Sequence, residues 1–73
     1  MTLADLGQNQ KVTVQSIAGD EHFKSRITSI GVTEGAGIQM VRNDKKMPVL
    51  IFVRQSLIAL NRDDAKKIEV AEA

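Results

Sequence analysis

Apolar and polar residues change their period along this chain, and each change marks an element. Lys11 to Gln15 alternates, with Val12 and Val14 on one side and Lys11, Thr13 and Gln15 on the other, which predicts a strand with one wet face. Ile17 breaks that parity and marks a bulge or bend of the kind a small barrel needs to turn a corner. From Asp20 the spacing becomes helical: Phe23, Ile27 and Ile30 stand at i, i+4 and i+7 and share one side. Asp20 is the natural N-cap. Gly31 suits the left-handed position after the helix, and Val32 then lies where it can touch Ile27, the contact that accompanies a Schellman stop. Thr33 to Ala36 reads as a turn, with Gly35 where a type II turn needs positive φ.

Beyond the turn, Ile38 and Met40 alternate with Gln39, and Val41 disturbs the pattern. Asn43 to Lys46 is a polar loop, Val49 to Val53 a β-rich run, and Leu57 to Leu60 its hairpin partner. The intervening Arg54-Gln55-Ser56 lacks the Asn-Gly type of pair that a tight hairpin favours, so a looser connection is expected. Arg62, Asp63 and Asp64 open a helical turn with Ala65 and Lys66. Ile68 and Val70 supply a last short strand, and Ala71 to Ala73 should fray. Near the start, Leu3 and Leu6 after a possible Thr2 cap suggest one helical turn acting as a lid. The sum is a mainly β protein, a small, partly open five-stranded barrel with one short helix between the first two strands. Short connections leave no room for repeated βαβ crossovers.

Composition narrows the function more than it suggests one. Seventy-three residues make a single domain spanning 1–73, and chains near that size bury only about 60–65% of their unfolded surface. The absence of cysteine removes disulfides, thiol nucleophiles and thiolate metal sites, which fits a reduced cytoplasmic protein. No signal-peptide pattern opens the chain, and the longest apolar run, Met47 to Val53, is far short of the ~20 residues of a membrane span. Ten basic and nine acidic residues are interspersed and sum to +1, without the basic patch of an electrostatic nucleic-acid binder. Two Phe and no Tyr or Trp leave little for stacking bases or gripping proline-rich peptides.

The reactive residues form no convincing catalytic set. Asp20, Glu21 and His22 are the only acid and imidazole cluster, but adjacent helical residues point apart, and a cap with acidic charge in the first turn explains them better than a metal site. Asp63 and Asp64 likewise read as a helix start. Ser16, Ser25, Ser29 and Ser56 share one His as a possible base and sit in no nucleophile elbow. Gly31, Gly35 and Gly37 are followed by a strand and by no Walker Lys-Ser/Thr, so they are turn residues and not a phosphate loop. No enzyme, cofactor or metal is expected.

The ordered series Leu3, Leu6, Arg26-Ile27, Ile30-Gly31-Val32-Thr33, Gly35, Pro48-Val49, Ile58-Ala59-Leu60, Ala65, Ile68 and Val70 resembles the FeoA family. These are small cytoplasmic SH3-like barrels associated with the bacterial ferrous iron transporter FeoB. The chain departs from the family pattern at Lys46-Met47, where Gly-Asp often precedes the proline, and at Asn61, where Arg usually follows Ile-Ala-Leu. Gln55 and Asn9 stand where Gly is common.

What the resemblance implies is a non-enzymatic accessory role, exercised by docking on the cytoplasmic region of a FeoB-like transporter. A related SH3-like module closes some iron-dependent repressors, and a regulatory role of that type is the alternative. The residues themselves offer two contact surfaces. Ile51, Val53, Ile58 and Leu60 fall on one face of the hairpin, while Leu50, Phe52, Leu57 and Ala59 make the other face apolar as well. Either the N-terminal turn and helix cover that second face or it meets a partner. The helix exit is the second surface, with Arg26, Ile27 and Val32 at a capped corner. Together with Arg54 and Arg62 as orienting charges, the expected partner-binding residues are Arg26, Ile27, Val32, Leu50, Phe52, Arg54, Leu57 and Arg62. So much apolar surface also permits a homo-oligomer.

Overall fold

In the computed structural model, which describes residues 1–73, the alternating and helical stretches form β1 (Lys11–Ile17), α1 (Glu21–Ser29), β2 (Gly37–Arg42), β3 (Val49–Val53), β4 (Ser56–Leu60), α2 (Arg62–Ala65) and β5 (Ile68–Glu72), preceded by a 3-10 turn (Leu3–Asp5). The strands make one antiparallel sheet in the order β4-β3-β2-β1-β5. Its inner face carries Val12, Val14, Ile38, Met40, Val49, Ile51, Val53, Ile68 and Val70, covered by Phe23 and Ile27 of α1 and by Leu3 and Leu6. Every buried residue is apolar. The core is therefore held by burial alone, and no buried side-chain N or O lacks a partner.

The anticipated irregularities are present. In the β1–β5 pairing the register shifts between Val14 and Ser16, so that Ile17 comes opposite Ile68. A second shift between Met40 and Arg42 accounts for the disturbance at Val41. Such bulges increase twist, and here they help the sheet curl around its core.

Helix α1 is stopped at both ends by the expected chemistry. Asp20 Oδ1 accepts from Phe23 N–H at 2.8 Å. Gly31, at φ 101°, donates to Thr28 O at 3.0 Å, and Val32 donates to Ile27 O at 3.2 Å, the paired bonds of a Schellman motif. The following turn closes with Ala36 N–H donating to Thr33 O, with Gly35 at φ 88°.

A polar relay fastens the 3-10 turn beneath the barrel. Asn43 Nδ2 donates to Leu6 O at 2.7 Å and Ala4 O at 3.0 Å, while Arg62 Nη1 donates to Asn43 Oδ1 at 2.7 Å. The same Arg62 nitrogen reaches Asp44 O and Met47 O at 2.8 and 3.2 Å, pinning the β2–β3 loop. Within the turn, Thr2 N–H donates to Asp5 Oδ2 at 2.9 Å and holds that carboxyl below its ordinary 3.8.

Two expectations need correction. The β3–β4 connection is tight: Val53 pairs directly with Ser56, leaving Arg54 and Gln55 as a two-residue loop at φ 50° and 65°. Positive φ at both positions is the type I′ pattern, adopted here without Gly or Asn. The C-terminal residues do not fray from Ala71, because β5 runs to Glu72 and pairs with β1 as far as Val12.

Candidate docking face

Strand register sets the outer surface of the sheet. Lys11 lies opposite Gln39, Gln39 opposite Phe52, and Phe52 opposite Leu57, so these four residues form a row across β1, β2, β3 and β4. Phe52 is 43% exposed and Leu57 60% exposed. They are large apolar side chains lying side by side with no cover from the N-terminal turn or α1. Ala59 beside them is exposed and Leu50 half-buried. Next to the pair lies an open groove of about 280 Å³, lined in part by Lys11, Gly37, Gln39, Phe52 and Arg54. Gly37 leaves its floor open, since a Cβ there would meet nothing within 4 Å.

Arg54 links this face to the helix exit. From the tip of the hairpin its Nε donates to Gly31 O at 3.2 Å and its Nη2 to Thr33 Oγ1 at 3.1 Å. The aliphatic part of the same side chain lies over Gly31, where a Cβ would approach its Cδ to 3.1 Å. A partly exposed guanidinium is thus held in one place at the margin of an apolar pair, and Lys11 supplies a second cation to the groove.

Four of the sequence-derived contact residues gather here: Leu50, Phe52, Arg54 and Leu57. The others do not. Ile27 and Val32 are both fully buried, because the Schellman stop turns them into the core, so they support the corner and present no surface. Arg62 donates to Asn43 Oδ1 and to the loop carbonyls of Asp44 and Met47, and it lines no part of the groove. Arg26 points to α2, where its Nη2 lies 3.1 Å from Asp64 Oδ2 and its guanidinium carbon 5.4 Å from the Phe23 ring centroid. Lys67 Nζ stands over that ring at 4.6 Å, so the Phe23 ring is flanked by two cations. Lys11, Gly37 and Gln39 join the face only through inter-strand register, a relation that no local pattern in their own segments displays.

Three of the candidate acidic and amide residues have structural partners. Asn61 Oδ1 accepts from Asp63 N–H at 2.9 Å, capping α2, and Asp64 is taken by Arg26. Asp20 caps α1, and no three His, Asp or Glu side chains converge on a common point.

The FeoA domain model matches residues 1–72. The chain belongs to the FeoA domain family. A Campylobacter jejuni protein provisionally named Fe(2+) transport protein A is 27% identical over 71 residues, covering 96% of each chain. Among solved structures, a FeoA crystal structure described as an iron uptake regulatory protein superposes with a TM-score of 0.89 at 26% identity, covering 99% of this chain and 95% of that one. Stenotrophomonas maltophilia FeoA, described with zinc and as an SH3-domain protein, gives 0.83 at 25% identity over 97% of this chain and 89% of that one. A manganese-dependent transcriptional repressor contains the same fold, with a TM-score of 0.90 at 16% identity over 100% of this chain and 41% of that one. The five-stranded SH3-like architecture is thus common to both groups, and the FeoA family is implicated in ferrous iron transport. No helix of this FeoA-family chain is long and apolar enough to cross a membrane.

Proposed function

We propose that this protein is a non-enzymatic cytoplasmic accessory factor of ferrous iron uptake that docks on the cytoplasmic region of a FeoB-like transporter. The observation that supports this reading is the exposed Phe52–Leu57 pair, seated on adjacent strands beside the tethered Arg54. Full burial of a Phe or Leu side chain contributes about 1.5–3 kcal/mol each. Two such residues on a rigid sheet can anchor a contact without a loop first having to order. Arg54 and Lys11 would favour an acidic neighbour beside the partner's apolar group. The activity is binding, and the reading assigns no iron ligand to this chain.

Calorimetric titration of the transporter's cytoplasmic region tests it. The double variant F52S/L57S should bind at least about tenfold more weakly, a change of ~1.4 kcal/mol. Lys24→Ser, on α1 away from the face, should bind like the parent. Unchanged binding by a folded F52S/L57S protein would overturn the assignment of this face.

A further inference from the structure

The two edges of the sheet are treated differently. Along β5 the N-terminus lies as a partial extra strand: Val70 N–H donates to Met1 O at 3.0 Å, Thr2 forms a bridge with Glu69, and the terminal ammonium lies 3.2 Å from Glu69 Oε2. That edge is covered and charged. Strand β4, Ser-Leu-Ile-Ala-Leu, has neither protection. It carries no charge and no proline, and its five pairs with β3 run without a bulge. Edge strands are ordinarily blunted by such devices because their free N–H and C=O groups recruit another strand.

The hairpin geometry identifies those free groups. A two-residue turn is flanked by a hydrogen-bonded pair, so Val53–Ser56, Ile51–Ile58 and Val49–Leu60 exchange the ladder bonds. The N–H and C=O of Leu57 and Ala59 then point away from β3, and both residues are exposed. We propose that β4 pairs antiparallel with β4 of a second copy of this chain, about a two-fold axis passing beside Ile58. Leu57 and Ala59 of one copy then exchange both backbone bonds with Ala59 and Leu57 of the other. The side chains agree with this register. On the outer face each large Leu57 comes opposite a small Ala59, and on the inner face the half-buried Ile58 meets its counterpart. No charged residue lies within the pair, so none meets a like charge.

The occupant is a second copy because the segment is self-complementary about one residue, with every free donor matched to a free acceptor. A five-residue edge contact is small beside the roughly 1,200 Å² of standard interfaces, so the dimer is weak and depends on concentration. It leaves the Phe52 faces of both copies open and side by side, and it stands independently of the proposed transporter contact.

The chain has no cysteine, so a single introduced thiol reports cleanly. Ile58→Cys places two thiols at a non-hydrogen-bonded pair across the axis, where side chains approach most closely. Under mild oxidation I58C should convert mainly to a disulfide dimer, while Ala71→Cys on β5 should remain mainly monomeric. In sedimentation velocity the parent should rise from 8.0 kDa toward twice that mass as concentration increases. Ala59→Lys, on the same edge, should stay at the monomer mass with an unchanged circular dichroism spectrum. A parent that stays monomeric throughout, equal cross-linking of I58C and A71C, or an undiminished A59K dimer would overturn the proposal.

Discussion

Arg54 donates from the tip of the β3–β4 hairpin to the carbonyl of Gly31, the residue that ends α1, at 3.2 Å. The contact joins two segments 23 residues apart and holds the hairpin tip against the helix exit. It also explains why glycine is needed twice over at position 31: φ is 101°, and an added Cβ would press on the Arg54 side chain at 3.1 Å. Gly31→Ala should therefore destabilise the fold by about 1–2 kcal/mol, the usual cost of a left-handed non-glycine residue. Urea unfolding measures it, and an unchanged midpoint would contradict this account.

The neighbouring turn residue should respond in the opposite direction. Gln55 is exposed at φ 65° and makes no side-chain hydrogen bond. Gln55→Gly relieves its backbone strain, offset in part by the greater freedom of glycine in the unfolded chain, and should stabilise by roughly 0.5–1 kcal/mol. Arg54→Gly, which relieves similar strain but removes the bonds to Gly31 and Thr33, should show less gain or a loss.

Asn43 is the middle of the relay from Arg62 to the 3-10 turn. Asn43→Ala deletes two donors to Ala4 O and Leu6 O and the acceptor for Arg62, and should cost about 2 kcal/mol. Amide exchange should accelerate first in residues 2–6, which the relay fastens. Arg62→Lys should not preserve this stability, because all three bonds come from Nη1 and a lysine nitrogen ends one bond short of that position.

Acid should weaken the N-terminal turn through Asp5. The Thr2 backbone N–H holds its carboxyl below 3.8 in the folded state. A depressed folded value means that its contribution is present above the unfolded pKa and is lost as pH falls through the folded one. Carboxyl-carbon NMR should therefore place the Asp5 midpoint under 3.8, and Asp5→Asn should remove that part of the acid sensitivity.

The elements were legible where local chemistry defines them. Asp20 and Gly31 bound α1 because a cap and a left-handed stop are encoded within a few residues, and Ile17 announced a bulge because parity is a local property. The tight Arg54-Gln55 turn was not, since its residues disfavour positive φ and the driving relation is the Val53–Ser56 pairing together with Arg54's distant bonds. For the same reason Arg62 looked like a free charge: its acceptors are largely backbone carbonyls, which composition does not reveal. The apolar second face of the hairpin was visible as alternation. That it is uncovered, and that Lys11, Gly37 and Gln39 border it, depends on register across β1, β2 and β3. Ile27 and Val32 were ambiguous in the sequence because an apolar residue at a helix stop serves a core or a contact equally well. Their complete burial means that Ile27→Asp should unfold the protein rather than selectively weaken binding.

The functional reading turns on the proposed contact of the Phe52–Leu57 face with the transporter. The most direct test is an NMR titration of the labelled protein with the unlabelled cytoplasmic region of a FeoB-like transporter. The largest shifts and broadening should fall on Gln39, Phe52, Arg54, Leu57 and Lys11, with the exposed residues of α1 little changed. Perturbations centred on α1 or α2, leaving Phe52 and Leu57 in place, would contradict it.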